Sequence, residues 1–298
     1  MNQTTFGEKV NYKSVMCLGA FDSIHLGHRE VIKRANEVKL RYGANCAVFT
    51  YYNDISIFSN KSKGLVYTFD ERLFCLEKIQ VDEVCGCEFT EEFAKLSPYQ
   101  FLNKIADNRP IAAFVCGKDF TFGYNKSGDV SLLSEYCKKK NIDLYVCDFL
   151  TDESGNKLST TTIKNLLLKG EIERANLLLG GKYFIRGEVV RGRQEGRKLG
   201  FPTANIKLEC GKLIIKAGVY ATTVNVGGTS YRAITNVGSA PTFNSKEFLV
   251  ECYIYGFSGN LYGKILTIQF DGFIREIKKF HSVDLLVDQL NEDLKVIK

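Results

Sequence analysis

The chain has 298 residues, 45% hydrophobic and 25% charged, with only four prolines. That is too long for one ordinary core and too apolar for a disordered polymer, so two globular domains are expected. The formal net charge of +6 lies wholly in the second part: residues 1–181 hold 23 Lys+Arg against 23 Asp+Glu, and residues 182–298 hold 17 against 11. No helix-turn-helix pattern or stacking-aromatic signature accompanies that excess, which argues against nucleic acid.

The opening stretch MNQTTFGEKVNYKS lacks a signal-like apolar run, and no span of about 18 apolar residues follows, so neither export nor a membrane span is predicted. The expected compartment is the cytoplasm, and the ten cysteines are expected as free thiols. Cys85 and Cys87 form a C-x-C pair with no second pair or histidine nearby, which favours strand packing over metal binding.

From Ser14 the apolar runs SVMCLG, NCAVFT, IAAFVC and IDLYVC read as buried strands. Between them, His28 to Tyr42 reads as a helix with Val31, Ala35 and Val38 on one face and Gly43 as its stop. Such alternation predicts an α/β domain with a parallel sheet, ending near residues 180–185. Beyond Gly180 the texture changes to FIRGEVVRG, GVYATTVNVGG, YRAITNVG, FLVECYIYGF and KILTIQF, closely spaced strands that predict an antiparallel β-barrel. A terminal helix is expected over 282–295, capped by Ser282 and striped by Val283, Val287, Leu290 and Leu294. The domains are therefore expected at 1–181 and 182–298.

GAFDSIHLGH lies where the first strand turns into the first helix, the position at which open α/β sheets bind ligands. Gly19 and Gly27 permit close backbone approach to a phosphate, the helix start offers free amides, and His25 and His28 can donate to phosphate oxygens. Only three histidines occur in the chain, and two sit at this turn. Displacement at an α-phosphate needs alignment and charge neutralisation rather than a covalent nucleophile, which suits this set.

The segment is similar to the H-x-G-H signature of nucleotidyltransferases, and the N-terminal half resembles the adenylyltransferase domain of bacterial FAD synthetases. FTEEFAKLSPYQFL, CGKDFTFGYNKSGD and LSTTTIKNLLLKGEIERANLLLG support the likeness. The resemblance implies that Gly19, Phe21, Asp22, His25 and His28 bind ATP, that Asp119 lines the nucleotide site, and that Thr160, Thr161 and Lys164 close over the phosphates. Lys164 stands where the family has arginine, keeping the charge but losing the bidentate fork. After Thr50 the family's Pro-His-Pro loop beside the flavin is replaced by Tyr51, Tyr52, Asn53 and Asp54. Either Tyr51 and Tyr52 supply the flavin contact by stacking, or FMN adenylylation is weak.

In the second part, GEVVRGRQEGRKLGFPTANI places Gly192, Gly196 and Gly200 among Arg193, Arg197 and other basic side chains. On the residues alone this is equally a polyphosphate cradle or a glycine-rich barrel corner with solvated arginines. Thr203 and Asn205, after Pro202, offer two neutral oxygens suited to magnesium held partly by phosphates. Glu251 sits in an apolar strand, either as a solvent-facing residue alternating with Val250 and Cys252 or as a base.

The stretch closely resembles the riboflavin kinase signature, and AGVYA, TNVGSAPTF and VECYIYGFSGNLYG extend the likeness over nearly the whole domain. It implies that Gly192, Arg193, Gly196, Arg197, Gly200, Pro202, Thr203 and Asn205 bind ATP, with Thr203 and Asn205 on the metal. Glu251 would act on the ribityl hydroxyl, and Arg275 lies on the flavin side. Together the two halves imply a bifunctional riboflavin kinase/FAD synthetase using ATP and Mg2+, with riboflavin and FMN as substrates and FAD as product. Its partners are then small molecules, with no nucleic acid and no membrane, and the pattern specifies no oligomeric state. Two other readings stay open: a kinase with a degenerate adenylyltransferase domain, and a flavin- or nucleotide-binding regulator without turnover.

Overall fold

The computed structural model describes residues 1–59, 62–152, 155–192, 196, 200–239 and 248–297. By contact the chain divides into two compact units, Met1–Thr160 and Thr161–Lys298.

The first unit contains strands β1 (Asn2–Thr5), β2 (Ser14–Leu18), β3 (Asn45–Tyr51), β4 (Glu83–Cys87), β5 (Ile111–Gly117) and β6 (Asp143–Cys147). Helices α1 (Leu26–Tyr42), α2 (Phe69–Lys78), α3 (Glu91–Ala94), α4 (Pro98–Ala106) and α5 (Val130–Lys140) connect them. All pairings are parallel, in the order β1-β4-β3-β2-β5-β6. The parallel sheet expected from the alternating pattern is therefore present. β2 has β3 on one side and β5 on the other, so the order reverses beside its carboxyl end, where a crevice opens in doubly wound sheets.

β2 and β4 are buried along their whole length, as strands covered on both faces must be. The first helix forms where its periodicity indicates: Val31, Ile32, Ala35 and Val38 face the core, and Gly43 stops it at φ 55°. β1 escapes the hydrophobic pattern because Asn2–Thr5 is polar and occupies the sheet edge. Inside that edge Arg109 Nη1 pairs with Glu83 Oε1 at 2.6 Å, and Thr4 Oγ1 donates to the same oxygen at 2.5 Å. Both charged side chains are essentially inaccessible, so their mutual neutralisation holds β1 and β4 to the segment before β5.

The second unit begins with α6 (Thr160–Lys169), whose first residue closes the first unit, and α7 (Ile172–Leu179). Strands β7 (Phe184–Val190), β8 (Thr203–Ile206), β9 (Gly218–Val226), β10 (Thr229–Ser239), β11 (Phe248–Ile254) and β12 (Ile265–Arg275) follow, then α8 (Val283–Ile297). The strands close a barrel in the order β10-β11-β8-β7-β12-β9, every pairing antiparallel. Val250, Cys252, Ile254, Ala204 and Ile206 point inward. The expected antiparallel barrel is thus present, with β8 as a short strand that the sequence pattern did not single out.

By contact α6 and α7 group with the barrel, so that division falls at 160/161: Asn176 Nδ2 donates to Phe270 O at 2.9 Å, and Lys216 N donates to Leu167 O at 3.1 Å. The change of texture marks where strands begin, not which core receives the preceding helices. The terminal helix keeps its serine cap, Leu285 N donating to Ser282 Oγ at 3.3 Å. Its apolar stripe is only half used, however. Leu294 and Ile297 pack on Val219 and Ile234, whereas Val283 is 57% exposed.

Candidate functional site

In the first unit, the turn from β2 into α1 brings Phe21, His25 and His28 together. His25 is the N-cap of α1, its Nδ1 accepting from His28 N at 3.2 Å. The two imidazoles stack at 3.7 Å and 9°, and the Phe21 ring lies 5.1 Å from His28. Burial pushes His25 down to about 4, with Asp119 opposing and Lys157 reinforcing that shift. Burial, and then His25 itself, hold His28 well below its ordinary value. Both rings are therefore neutral near pH 7, available as hydrogen-bonding groups rather than as cations. His28 Nδ1 is buried and meets no partner among the described residues.

Phe21 at φ 49° and Ile24 at φ 44° are left-handed, which is costly for side chains of this size and concentrates strain in this turn. Gly19 keeps the turn open, since a Cβ there would lie 2.9 Å from the Phe21 ring. Asp22 is buried and accepts from Val66 N at 2.7 Å, so it anchors a neighbouring loop. Ser23 Oγ and Thr160 Oγ1 lie 3.0 Å apart, bringing Thr160 to the turn. Asp119, just past β5, pairs with Lys157, and both act on His25 through space. Thr161 and Lys164 lie in the first turns of α6, within the second unit.

The structure separates the two tyrosines after Thr50. Tyr51 sits in an aromatic cluster with Phe49, Phe89 and Phe93 at 5.2, 5.4 and 5.5 Å, and burial pushes its phenol up. Tyr52 lies across Gly86 and lines a cavity of about 270 Å3 with Phe6, Thr90, Phe93, Leu96 and Lys104. Only Tyr52 is thus placed to meet a ligand from that cavity.

On the barrel, antiparallel register aligns Asn205 of β8, Glu251 of β11 and Asn236 of β10 in one row. Directly opposed residues share a face, so these three polar side chains stand together while Val250 and Cys252 point inward. Thr203, two residues before Asn205, shares its face and lines a cavity of about 630 Å3 with Arg191, Pro202 and the Phe257–Tyr262 connection. Asn205 is 5% exposed, and its Oδ1 meets no partner among the described residues. That orphaned oxygen, on the same strand face as the Thr203 hydroxyl, fits a hard cation.

Gly192 is required by close approach: a Cβ would stand 2.4 Å from Asn205 Nδ2. Gly196 packs against the Phe201 carbonyl, where a Cβ would come within 2.4 Å, and Gly200 is left-handed at φ 82°. Arg193 and Arg197 lie outside the described residues. Arg275 occupies the same row of the barrel as Glu251, but its guanidinium is taken by Asp293 of α8, Nη2 to Oδ2 at 2.7 Å and Nε to Oδ1 at 2.9 Å. Its observed part is to hold the terminal helix.

Sequence reasoning gave no individual role to Arg191, Phe257, Ser258, Asn260 and Tyr262 around the larger cavity. The glycine- and asparagine-bearing connection between two strands was the available signal. It also missed Lys157, which nothing in the local pattern distinguishes from a surface lysine.

Residues 7–162 match the family model for FAD synthetase, and residues 179–298 match that for riboflavin kinase. The chain is 34% identical over 293 residues to the bifunctional riboflavin kinase/FMN adenylyltransferase of Listeria monocytogenes, covering 97% of this chain and 93% of that one. It is 32% identical over 287 residues to the protein of the same name from Bacillus subtilis, covering 94% and 90%. Among solved structures, one described as a macrolide-efflux protein from Streptococcus pneumoniae superposes with a TM-score of 0.88 at 30% identity, covering 100% of this chain and 99% of that one. No helix among the described residues is long and apolar enough to cross a membrane. A nucleotide-type crevice in a parallel sheet, a polar row on a closed barrel and near-full-length similarity agree: the chain belongs to the bifunctional riboflavin kinase/FMN adenylyltransferase family.

Proposed function

We propose that the two units act in succession on one flavin. The barrel transfers the γ-phosphoryl group of ATP to the ribityl hydroxyl of riboflavin, giving FMN and ADP. The α/β unit then joins the FMN phosphate to the α-phosphorus of a second ATP, giving FAD and releasing pyrophosphate. The observation that carries the reading is the Asn205–Glu251–Asn236 row with its orphaned Asn205 oxygen.

In the kinase step, Glu251 orients the ribityl hydroxyl and accepts its proton as the new phosphate ester forms. Pro202, Thr203 and the glycines at 192, 196 and 200 face the nucleotide, with Arg193 and Arg197 as further contacts. The Thr203 hydroxyl and Asn205 Oδ1 would hold magnesium, which when bound neutralises charge on the phosphate oxygens. Arg275 would then support the flavin side indirectly, through the terminal helix.

In the adenylyl step, His25 and His28 hydrogen-bond the phosphates as neutral imidazoles at the start of α1, where unsatisfied amides add positive potential. Gly19, Phe21 and Asp22 shape the turn, Asp119 and Thr160 border it, and Tyr52 faces the flavin. The parts expected of Thr161 and Lys164 rest on the sequence resemblance.

The test supplies purified protein with riboflavin, ATP and magnesium and resolves the flavins by chromatography. FMN and then FAD are expected; FMN alone would sink the second step. Glu251→Gln should lower FMN formation by about 10²- to 10⁴-fold while leaving adenylylation of supplied FMN intact, and His28→Ala should do the reverse. Equal loss of both activities in either variant contradicts separate sites.

A further inference from the structure

Arg72 is 1% exposed, a full guanidinium inside the first unit that no step above uses. It projects from α2, whose start is set by a Thr68–Glu71 capping box. Its Nη1 donates to Thr50 Oγ1 at 2.7 Å and to the Ala20 carbonyl at 3.2 Å. Its Nη2 donates to the Tyr51 carbonyl at 2.5 Å. Thr50 Oγ1 in turn donates to the Ala20 carbonyl at 2.6 Å. One planar group therefore grips the turn after β2 and the turn after β3 together.

Its hold on Ala20 has a consequence for the next residue. Two donors on that carbonyl fix the peptide plane entering Phe21, the residue held at φ 49° whose ring packs on His28. A left-handed phenylalanine persists only where its surroundings over-determine it. On the other side, the grip on Tyr51 sets the direction in which the chain leaves β3 toward Tyr52. That segment is further tied by Asn53, which exchanges two hydrogen bonds with the Phe89 backbone at 2.8 and 3.0 Å. Asp54 accepts from Ser56 Oγ and Ser62 Oγ, each at 2.7 Å. Side-chain bonds thus give Tyr51–Asp54 the rigidity that prolines would otherwise supply. Burial lowers the guanidinium only to about 10, and Asp22, Glu71 and Asp54 counter the loss, so it stays charged near neutrality.

We propose that Arg72 is the positioning residue of the adenylyl-transfer site, locking the phosphate-side turn and the flavin-side turn into one geometry. The inference rests on the adenylyltransferase reading of the first unit. It assigns Arg72 no contact with substrate. A guanidinium is needed because five acceptors lie around it, on Ala20, on Thr50 to Tyr52 and on Thr68 of its own helix, a set that an ammonium cannot match with the same reach.

The test compares Arg72→Lys and Arg72→Gln with wild-type protein, measuring kcat and both KM values for adenylylation of supplied FMN and riboflavin phosphorylation on the same preparation. For Arg72→Lys, kcat is expected to fall about 10-fold while KM rises for both ATP and FMN, with kinase turnover within twofold of wild type. Arg72→Gln should lose about 100-fold; if it fails to fold, shown by lost kinase activity or lost far-UV dichroism, Arg72→Lys alone decides. Mere destabilisation removes active enzyme, lowering apparent kcat without moving either KM, so a kcat loss at constant KM overturns the proposal. So does a KM change confined to one substrate, or wild-type kinetics in Arg72→Lys. Absence of FAD from the wild-type protein would instead refute the adenylyltransferase reading itself.

Discussion

Replacing Gly192 by alanine tests the barrel site at one atom. The new Cβ would stand 2.4 Å from Asn205 Nδ2, 2.6 Å from Cγ and 2.8 Å from Oδ1. Comfortable contact between such atoms begins near about 3.5 Å, so the overlap is about 1 Å. Gly192 lies beyond the end of β7, and relief comes most readily by swinging the Asn205 amide. Asn205 is 5% exposed and cannot swing without displacing Oδ1 from the place proposed for the cation. A misplacement of about 1 Å in positioning groups costs about 10²-fold in rate, equivalent to about 2.7 kcal/mol in the barrier. Gly192→Ala should therefore lower kcat/KM for FMN formation by about 10²-fold and raise the magnesium concentration needed for half-maximal rate. Adenylylation of supplied FMN should be unchanged. Kinase activity within threefold of wild type, with an unaltered magnesium requirement, would refute the assignment of Asn205.

Two further outcomes concern the first unit. Because His25 is held down to about 4 against an unfolded value near about 6.5, the unfolded chain binds more protons between those values. Stability is then full above the upper value and falls as pH drops through the window, by about 3 kcal/mol for His25. His25→Asn keeps an N-cap acceptor and removes the titration, so urea melts at pH 7, 6 and 5 should lose much of their acid slope; an identical slope in both proteins contradicts the burial argument. Arg109→Met strips the partner from a fully buried Glu83 and should cost about 3–5 kcal/mol by denaturant unfolding followed by far-UV dichroism. A cost below about 1 kcal/mol would mean that the pair is neutralised in another way.

Much of the fold is written in local pattern, because period two and period 3.6 are properties of successive residues. SVMCLG, NCAVFT, IAAFVC and IDLYVC all became strands of one parallel sheet, and His28 to Tyr42 became α1 with only Leu26 and Gly27 added. Where pattern failed, the deciding force was long-range. Asn2–Thr5 is polar, and becomes a strand because Glu83, Arg109 and β4 offer it partners some eighty to a hundred residues away. Thr203–Ile206 is too short for a periodic signal, and becomes one because β7 and β11 flank it. Val283 has the spacing of a core residue yet stays exposed, since only the last turns of α8 reach the barrel.

The sequence by itself determined the two fold classes, the turn bearing His25 and His28, and the residue types at Thr203, Asn205 and Glu251, since motif spacing and hydrophobic period are local. Only the tertiary structure decided what those residues share. Strand register set Glu251 between Asn205 and Asn236, a coincidence of three chain segments that no window of sequence contains. Burial made both histidines neutral, placed Tyr51 in the core and left Tyr52 at a cavity. Packing committed Arg275 to Asp293 and gave Arg72 its grip on two turns. Charge state and hydrogen-bond partnership depend on neighbours in space, and for these residues the neighbours are brought together only by folding.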